Sequence, residues 1–323
     1  YNAAETVDAK GAPVYPGLID AHAHFYGLGM QLQRVDLTGT KSFAEVVQRI
    51  TEFQDQKNVD FIVGRGWDQN DWEVKEFPVK DTLDALFPDT PVAITRIDGH
   101  ALLANQAALD AAGITTATPF EGGEIESKNG QLTGILIDNP MSLIENAIPE
   151  AETEEEAAAL LDAQKTAFQY GLTTINDAGL DRRVIELIDS LQQAGALKLR
   201  IYAMISNTPE NLDYYLDREP VKTPRLNVRS VKFYADGALG SRGAALKEPY
   251  ADKHDHYGAL LSSVEDFEKT AARIAQSEYQ MNTHAIGDSA NYVVLRTYDS
   301  LLADSGDRRW KVEHSQVIDP QDF

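Results

Sequence analysis

Leu18-Ile-Asp-Ala-His-Ala-His24 is the run from which the rest of the chain can be read. It is short, starts apolar and has no helical periodicity, so it is expected to be a strand. Alternate side chains of a strand share a face. Asp20, His22 and His24 therefore point one way, and Ile19, Ala21 and Ala23 the other. Five further runs read as strands: Leu172–Asp177, Leu199–Ile205, Val228–Tyr234, Met281–His284 and Lys311–Gln316. From Leu172 onward they alternate with helical stretches such as Arg183–Ala194 and Ala290–Leu302. Such alternation predicts an α/β fold with a parallel sheet and helices outside it. Six strands with polar C-terminal ends fit a (β/α)₈ TIM-type barrel that lacks its last two units.

Capping boxes punctuate the helices, because a hydroxyl there satisfies an orphan backbone N–H. Ser42-x-x-Glu45 opens a helix running to about Asn58. Thr153-x-x-Glu156 opens another that ends at Gly171, a residue suited to the left-handed position beyond a helix C-terminus. Ser263-x-x-Asp266 opens a third, reaching about Gln280. The interval from Phe25 to about Glu150 breaks the rhythm. It holds a helix, strand-like Phe61–Gly64 and Pro91–Ile97, and Gly-rich turns at Gly122-Gly123 and Asn129-Gly130. Residues 25–150 are expected to form a large insertion subdomain over the barrel mouth, with the barrel made by 18–24 and 151–323.

Composition narrows the function classes. The chain has 323 residues with 43% hydrophobic, ordinary for a soluble globular protein. No stretch approaches the ~18 apolar residues of a membrane span. Lys and Arg total 29 against 51 Asp and Glu, a net charge of −22. That field repels phosphate backbones and argues against nucleic-acid binding. Cysteine is absent, which excludes disulfides and thiolate metal sites. The sequence begins at Tyr1, not Met, and its opening carries no signal-peptide pattern. It reads as a segment of a longer chain, so no compartment is assigned beyond a cytoplasmic default.

The histidines carry the chemistry. Two imidazoles at i and i+2 of a strand suit chelation of one ion, although a His-x-His pair alone is equally compatible with a structural role. His284 and His314 each stand at the end of another predicted strand. In a barrel such ends converge on the C-terminal face, where active sites sit. Four of seven histidines at three strand ends are hard to explain as core filling. His254 and His256 follow a polar, turn-rich run and read as surface residues. Lys232 lies among Val228-Arg-Ser-Val-Lys-Phe-Tyr234, where alternation turns it into the barrel. An ammonium there, near a divalent ion, is repelled and poorly solvated. Carbamylation by CO₂ resolves the conflict. The alternative is an ion pair with Asp236 or Asp177.

Tyr15-Pro-Gly-Leu-Ile-Asp-Ala-His-Ala-His24 resembles the first-strand signature of the amidohydrolase superfamily, and Gly171-Leu-Thr-Thr-Ile-Asn-Asp177 its second strand. Further blocks resemble amidohydrolase family 3, the YtcJ-like hydrolases that include N-substituted formamide deformylases. These are Gly64-Arg-Gly-Trp-Asp68, Asp98-Gly-His-Ala101, Asn105, Gly134-Ile-Leu136, Lys232-Phe-Tyr-Ala-Asp-Gly-Ala-Leu-Gly-Ser-Arg242, His284-Ala-Ile-Gly-Asp288 and Glu313-His314. The resemblance covers nearly the whole chain, and the Lys232–Arg242 block is specific.

That resemblance implies a metal-dependent hydrolase cleaving a non-peptide amide or related C–N bond of a small molecule. It implies His22, His24, Lys232, His284 and His314 as metal ligands, with the lysine carbamylated and bridging. Zinc is the implied metal, as one or two ions, and manganese or iron would also suit a carbamate site. His100, Trp67 and Arg242 are implied as substrate contacts, with simple core packing an equal reading for Trp67. Asp236 and Asp288 are expected to orient loops and ligands. The family's catalytic Asp closes strand eight and is expected beyond residue 323, so residues 1–323 alone are expected to be inactive and poorly soluble. Residues 1–17 read as a remnant of its small β-sandwich. A cyclic deaminase, a lactonase or a catalytically silent regulatory relative are the alternative functions, and a homodimer is left open as the assembly.

Overall fold

The computed structural model describes residues 3–120, 123–239 and 242–322. Gly122 of the anticipated Gly-rich turn and Gly240-Ser241 of the long motif lie outside the described residues. The chain divides into two compact units, one of residues 1–27 with 160–323, the other of residues 28–159.

In the first unit six strands form one parallel sheet in sequence order. They are Leu18–Ala23, Leu172–Leu180, Arg200–Ser206, Leu226–Tyr234, Gln280–Ala285 and Lys311–His314. A two-residue strand, Val221–Lys222, adds an antiparallel hairpin to the fourth. Helices Arg182–Gln193, Pro209–Tyr215, Val264–Ala275 and Asp288–Leu302 fall between the strands. Each apolar helix stripe, such as Val184, Ile185 and Ile188, is buried, as strand–helix layering requires. The sheet is curled into a half-barrel. No backbone ladder joins the first strand to the sixth among the described residues, yet His22 Nδ1 and Glu313 Oε2 from those two strands lie 2.9 Å apart. In the first strand Leu18 and Ile19 are 56% and 67% exposed. Residues 3–17 contribute no strand.

The second unit has its own six-stranded mixed sheet, in the order Val35–Asp36, Ile62–Trp67, Val92–Arg96, Ala101–Ala104, Gln131–Asp138 and Gly123–Lys128. Its core gathers Val46, Ile50, Ile62, Trp67, Trp72, Leu83 and Ile94. Helix Phe43–Lys57 starts as the sequence indicates: Ser42 Oγ accepts the Glu45 N–H at 3.1 Å, and Asn58 closes it in the left-handed conformation. No helix among the described residues is long and apolar enough to cross a membrane.

Several boundaries shift by a few residues from the sequence reading, and three have a clear local cause. Ser263 does cap its helix, but the helix ends at Ala275 and not near Gln280. Tyr279 is fully buried, and the chain must turn at Ser277 to place it. Thr153 is the first helical residue and not the cap, because the Glu155 carboxylate accepts the Glu152 N–H one position earlier. The sixth strand stops at His314, not Gln316, since the left-handed φ of 75° at His314 and 44° at Ser315 turns the chain out of the extended conformation.

Candidate metal centre

The C-terminal ends of the first, fifth and sixth strands bring four imidazoles into a row. The His24 and His22 ring centres lie 5.7 Å apart, His22 and His314 4.7 Å, and His314 and His284 4.7 Å. Two imidazoles bound to one zinc at about 2 Å have centres roughly 4.5–5.5 Å apart; the two 4.7 Å spacings fall in that range and the 5.7 Å spacing lies just outside it. Among the described residues no three His, Asp or Glu side chains are close enough together to form a closed ligand group.

Ring tautomers follow from acceptor-only partners. His24 Nδ1 donates to the Ala178 carbonyl at 3.0 Å, which leaves Nε2 with its lone pair. His22 Nδ1 donates to Glu313, and His22 Nε2 is buried without a hydrogen-bond partner. Burial lowers the pKa of His22, with the charge of Lys232 adding to it. Burial likewise lowers His284. It takes His314 down to about 4, with His284, His22 and Lys232 contributing. Neutral imidazole is the ligating form.

Lys232, on the fourth strand, is 1% exposed. Its Nζ has no hydrogen-bond partner and stands 4.8 Å from the Tyr234 ring centre. Burial lowers its pKa to about 8. The ion pair with Asp177 or Asp236 does not form, because both carboxylates are engaged elsewhere. Asp177 accepts the Phe25 and Tyr26 N–H groups at 2.9 and 3.0 Å; burial lifts its carboxyl to about 6. Asp236 accepts those of Ile286, Gly287 and Ala245 at 2.8–2.9 Å.

An unpartnered buried ammonium and an unpartnered buried imidazole nitrogen are each costly. Their occurrence together, among three further imidazoles, fits a divalent ion. His22, His24, His284, His314 and Lys232 are the side chains that would hold it.

Asp236 ties the loop after the fourth strand to the end of the fifth, just beyond His284. Gly287 passes so close to this loop that a Cβ would lie 2.0 Å from the Ala245 oxygen. Asp236→Ala strands three buried N–H groups and is expected to lower stability by roughly 3 kcal/mol or more. Asp236→Asn, which keeps one acceptor oxygen, should lose less. Chemical denaturation measures both. Asp288 also organises backbone, accepting the Lys247 and Ser289 N–H groups.

The implied substrate contacts are scattered. Trp67 is fully buried in the core of the second unit and donates Nε1–H to the Ile94 oxygen at 2.9 Å. That is the packing alternative, and it presents no surface to a ligand. His100 is exposed in the same unit, with Nδ1 2.8 Å from Asp138. Arg242 pairs with Asp252 at 2.5 Å on an exposed loop of the first unit. His254 is exposed, while His256 is half-buried and holds the Arg242 carbonyl at 2.9 Å.

Glu313 was not singled out as a site residue. In a regular strand it would face away from His314, yet both reach His22. The left-handed turn at His314 breaks the alternation. The signal in the sequence was its place beside His314 in the Glu313-His314 block.

Residues 5–323 match the amidohydrolase family. YtcJ of Bacillus subtilis, named as an amidohydrolase, is 33% identical across 98% of this chain and 60% of its own length. N-substituted formamide deformylase of Arthrobacter pascens is 25% identical across 98% of this chain and 61% of its own. The crystal structure of an uncharacterized metal-dependent hydrolase from Pyrococcus furiosus has a TM-score of 0.75 and 26% identity, over 95% of this chain and 61% of that one. The chain thus spans about three fifths of the length of the curated relatives it matches. Because the match runs through the half-barrel and all four histidines of the row, the chain belongs to the amidohydrolase family.

Proposed function

We propose that the protein hydrolyses an amide or related non-peptide C–N bond with one or two divalent ions, zinc first among them, held by His22, His24, His284, His314 and a carbamylated Lys232. The observation that carries this reading is the row of four imidazoles at 4.7–5.7 Å beside a lysine that is buried and unpartnered. When bound, such an ion supplies a Lewis acid and activates water near neutral pH.

The chain's own groups prepare that site. Asp177 and Asp236 bind backbone N–H groups next to His24 and His284 and so fix where those rings start. The carbamate forms when the neutral Lys232 amine adds to CO₂ carbon and releases a proton; the product is an anion and removes the buried positive charge. Arg242 stays as a candidate anchor for a polar substrate group, now held by Asp252, which a substrate would displace.

N-substituted formamides and simple N-acyl amines are the substrate classes to assay first, a choice supported by the deformylase relative. Release of free amine and carboxylate from the zinc-loaded full-length protein is the expected result, because the general-base Asp is expected beyond residue 323. Ammonia from a cyclic amidine would indicate a deaminase, acid alone from a lactone would indicate a lactonase, and no turnover of any class by the metal-loaded protein would favour a silent relative.

A further inference from the structure

We propose that Glu313 is a positioning residue that holds His22 as its Nδ1–H tautomer and so keeps Nε2 free to bind metal. The inference rests on the metal-centre reading above and concerns how the chain prepares one ligand.

Glu313 is 8% exposed and is held from both sides. Its Oε2 accepts from His22 Nδ1 at 2.9 Å, and its Oε1 lies 2.9 Å from Lys311 Nζ. Lys311 and Glu313 are alternate residues of the sixth strand, so they share a face, and the lysine presents the second carboxylate oxygen to His22. The left-handed turn at His314 lets this residue and its neighbour serve the same centre. No backbone ladder joins the first and sixth strands among the described residues, so the contact is a side-chain bond across the half-barrel. A neutral imidazole left to itself carries its proton mainly on Nε2, the atom that here is buried and unpartnered. Such a ring could not ligate through Nε2. A carboxylate on Nδ1 reverses the preference and sets the ring's orientation.

The test is long-range proton–nitrogen NMR on ¹⁵N-histidine-labelled, metal-free protein, with His22 assigned by its loss in His22→Gln. The wild type should show His22 protonated at Nδ1. Glu313→Ala should move that proton to Nε2 and weaken zinc binding, measured by chelator competition, by about 10–100-fold. Glu313→Gln retains an acceptor oxygen and should keep the tautomer. A wild-type His22 protonated at Nε2, or a Glu313→Ala protein with the tautomer and zinc affinity unchanged, would overturn the proposal. Failure of the wild type to bind zinc would instead count against the metal-centre reading, because the tautomer measurement needs no metal.

Discussion

Lys232→Met is expected to remove bound metal and hydrolytic turnover together while leaving the metal-free fold intact. The side chain is 1% exposed and its Nζ has no partner. An unpaired buried charge is costly, and an apolar chain of similar volume relieves that cost. Thermal stability of the metal-free variant should therefore match or exceed the wild type. Turnover should fall by roughly 10³-fold or more, since a divalent ion contributes several kcal/mol to such reactions and each 1.4 kcal/mol is tenfold. Stripping bicarbonate before metal is rebound should reproduce the loss in the wild type, and short carboxylic acids should partly restore Lys232→Ala. Metal-loaded Lys232→Met with full activity would remove the lysine from the centre.

The second large effect is at the first strand. His22 and His24 are two of the five side chains proposed for the ion, and both rings turn Nδ1 to an acceptor, which makes Nε2 the atom available to a metal. Structural zinc sites are worth about 10–16 kcal/mol, or roughly 3 kcal/mol per ligand, which is 10²-fold or more in affinity. His24→Ala should weaken zinc binding by about that factor, and the double variant His22→Ala/His24→Ala should retain no metal through purification. Equilibrium dialysis against zinc checks both. An unchanged affinity in the double variant would show that the first strand holds no ligand.

Much of this arrangement was legible in the residues. All six strands of the half-barrel begin and end within a few residues of the runs read as strands, because alternation and abrupt polar ends mark a strand buried under helices. The row of imidazoles was legible for a related reason: parallel strands put their C-terminal ends on one side, so histidines distant in sequence had to meet there.

What stayed hidden acts through non-local bonds. Asp177 and Asp236 bind backbone N–H groups of other segments, and such contacts leave no spacing pattern. Glu313 was masked by the left-handed φ at His314, a conformation that nothing in Val312-Glu-His-Ser315 announces. The helix opened by Ser263 looked longer than it is because burial of Tyr279 overrides local propensity. Trp67 shows the converse. Its motif invited a ligand role, and its surroundings in the second unit make it core.

If His22, His24, His284 and His314 are co-ligands of a catalytic ion, the purified protein should carry that ion in stoichiometric amount. Elemental analysis of the purified, zinc-supplemented protein measures this. The expected result is about one to two divalent ions per chain, lost in His22→Ala/His24→Ala. No stoichiometric metal in the wild type, or the same metal content in the double variant, would contradict it.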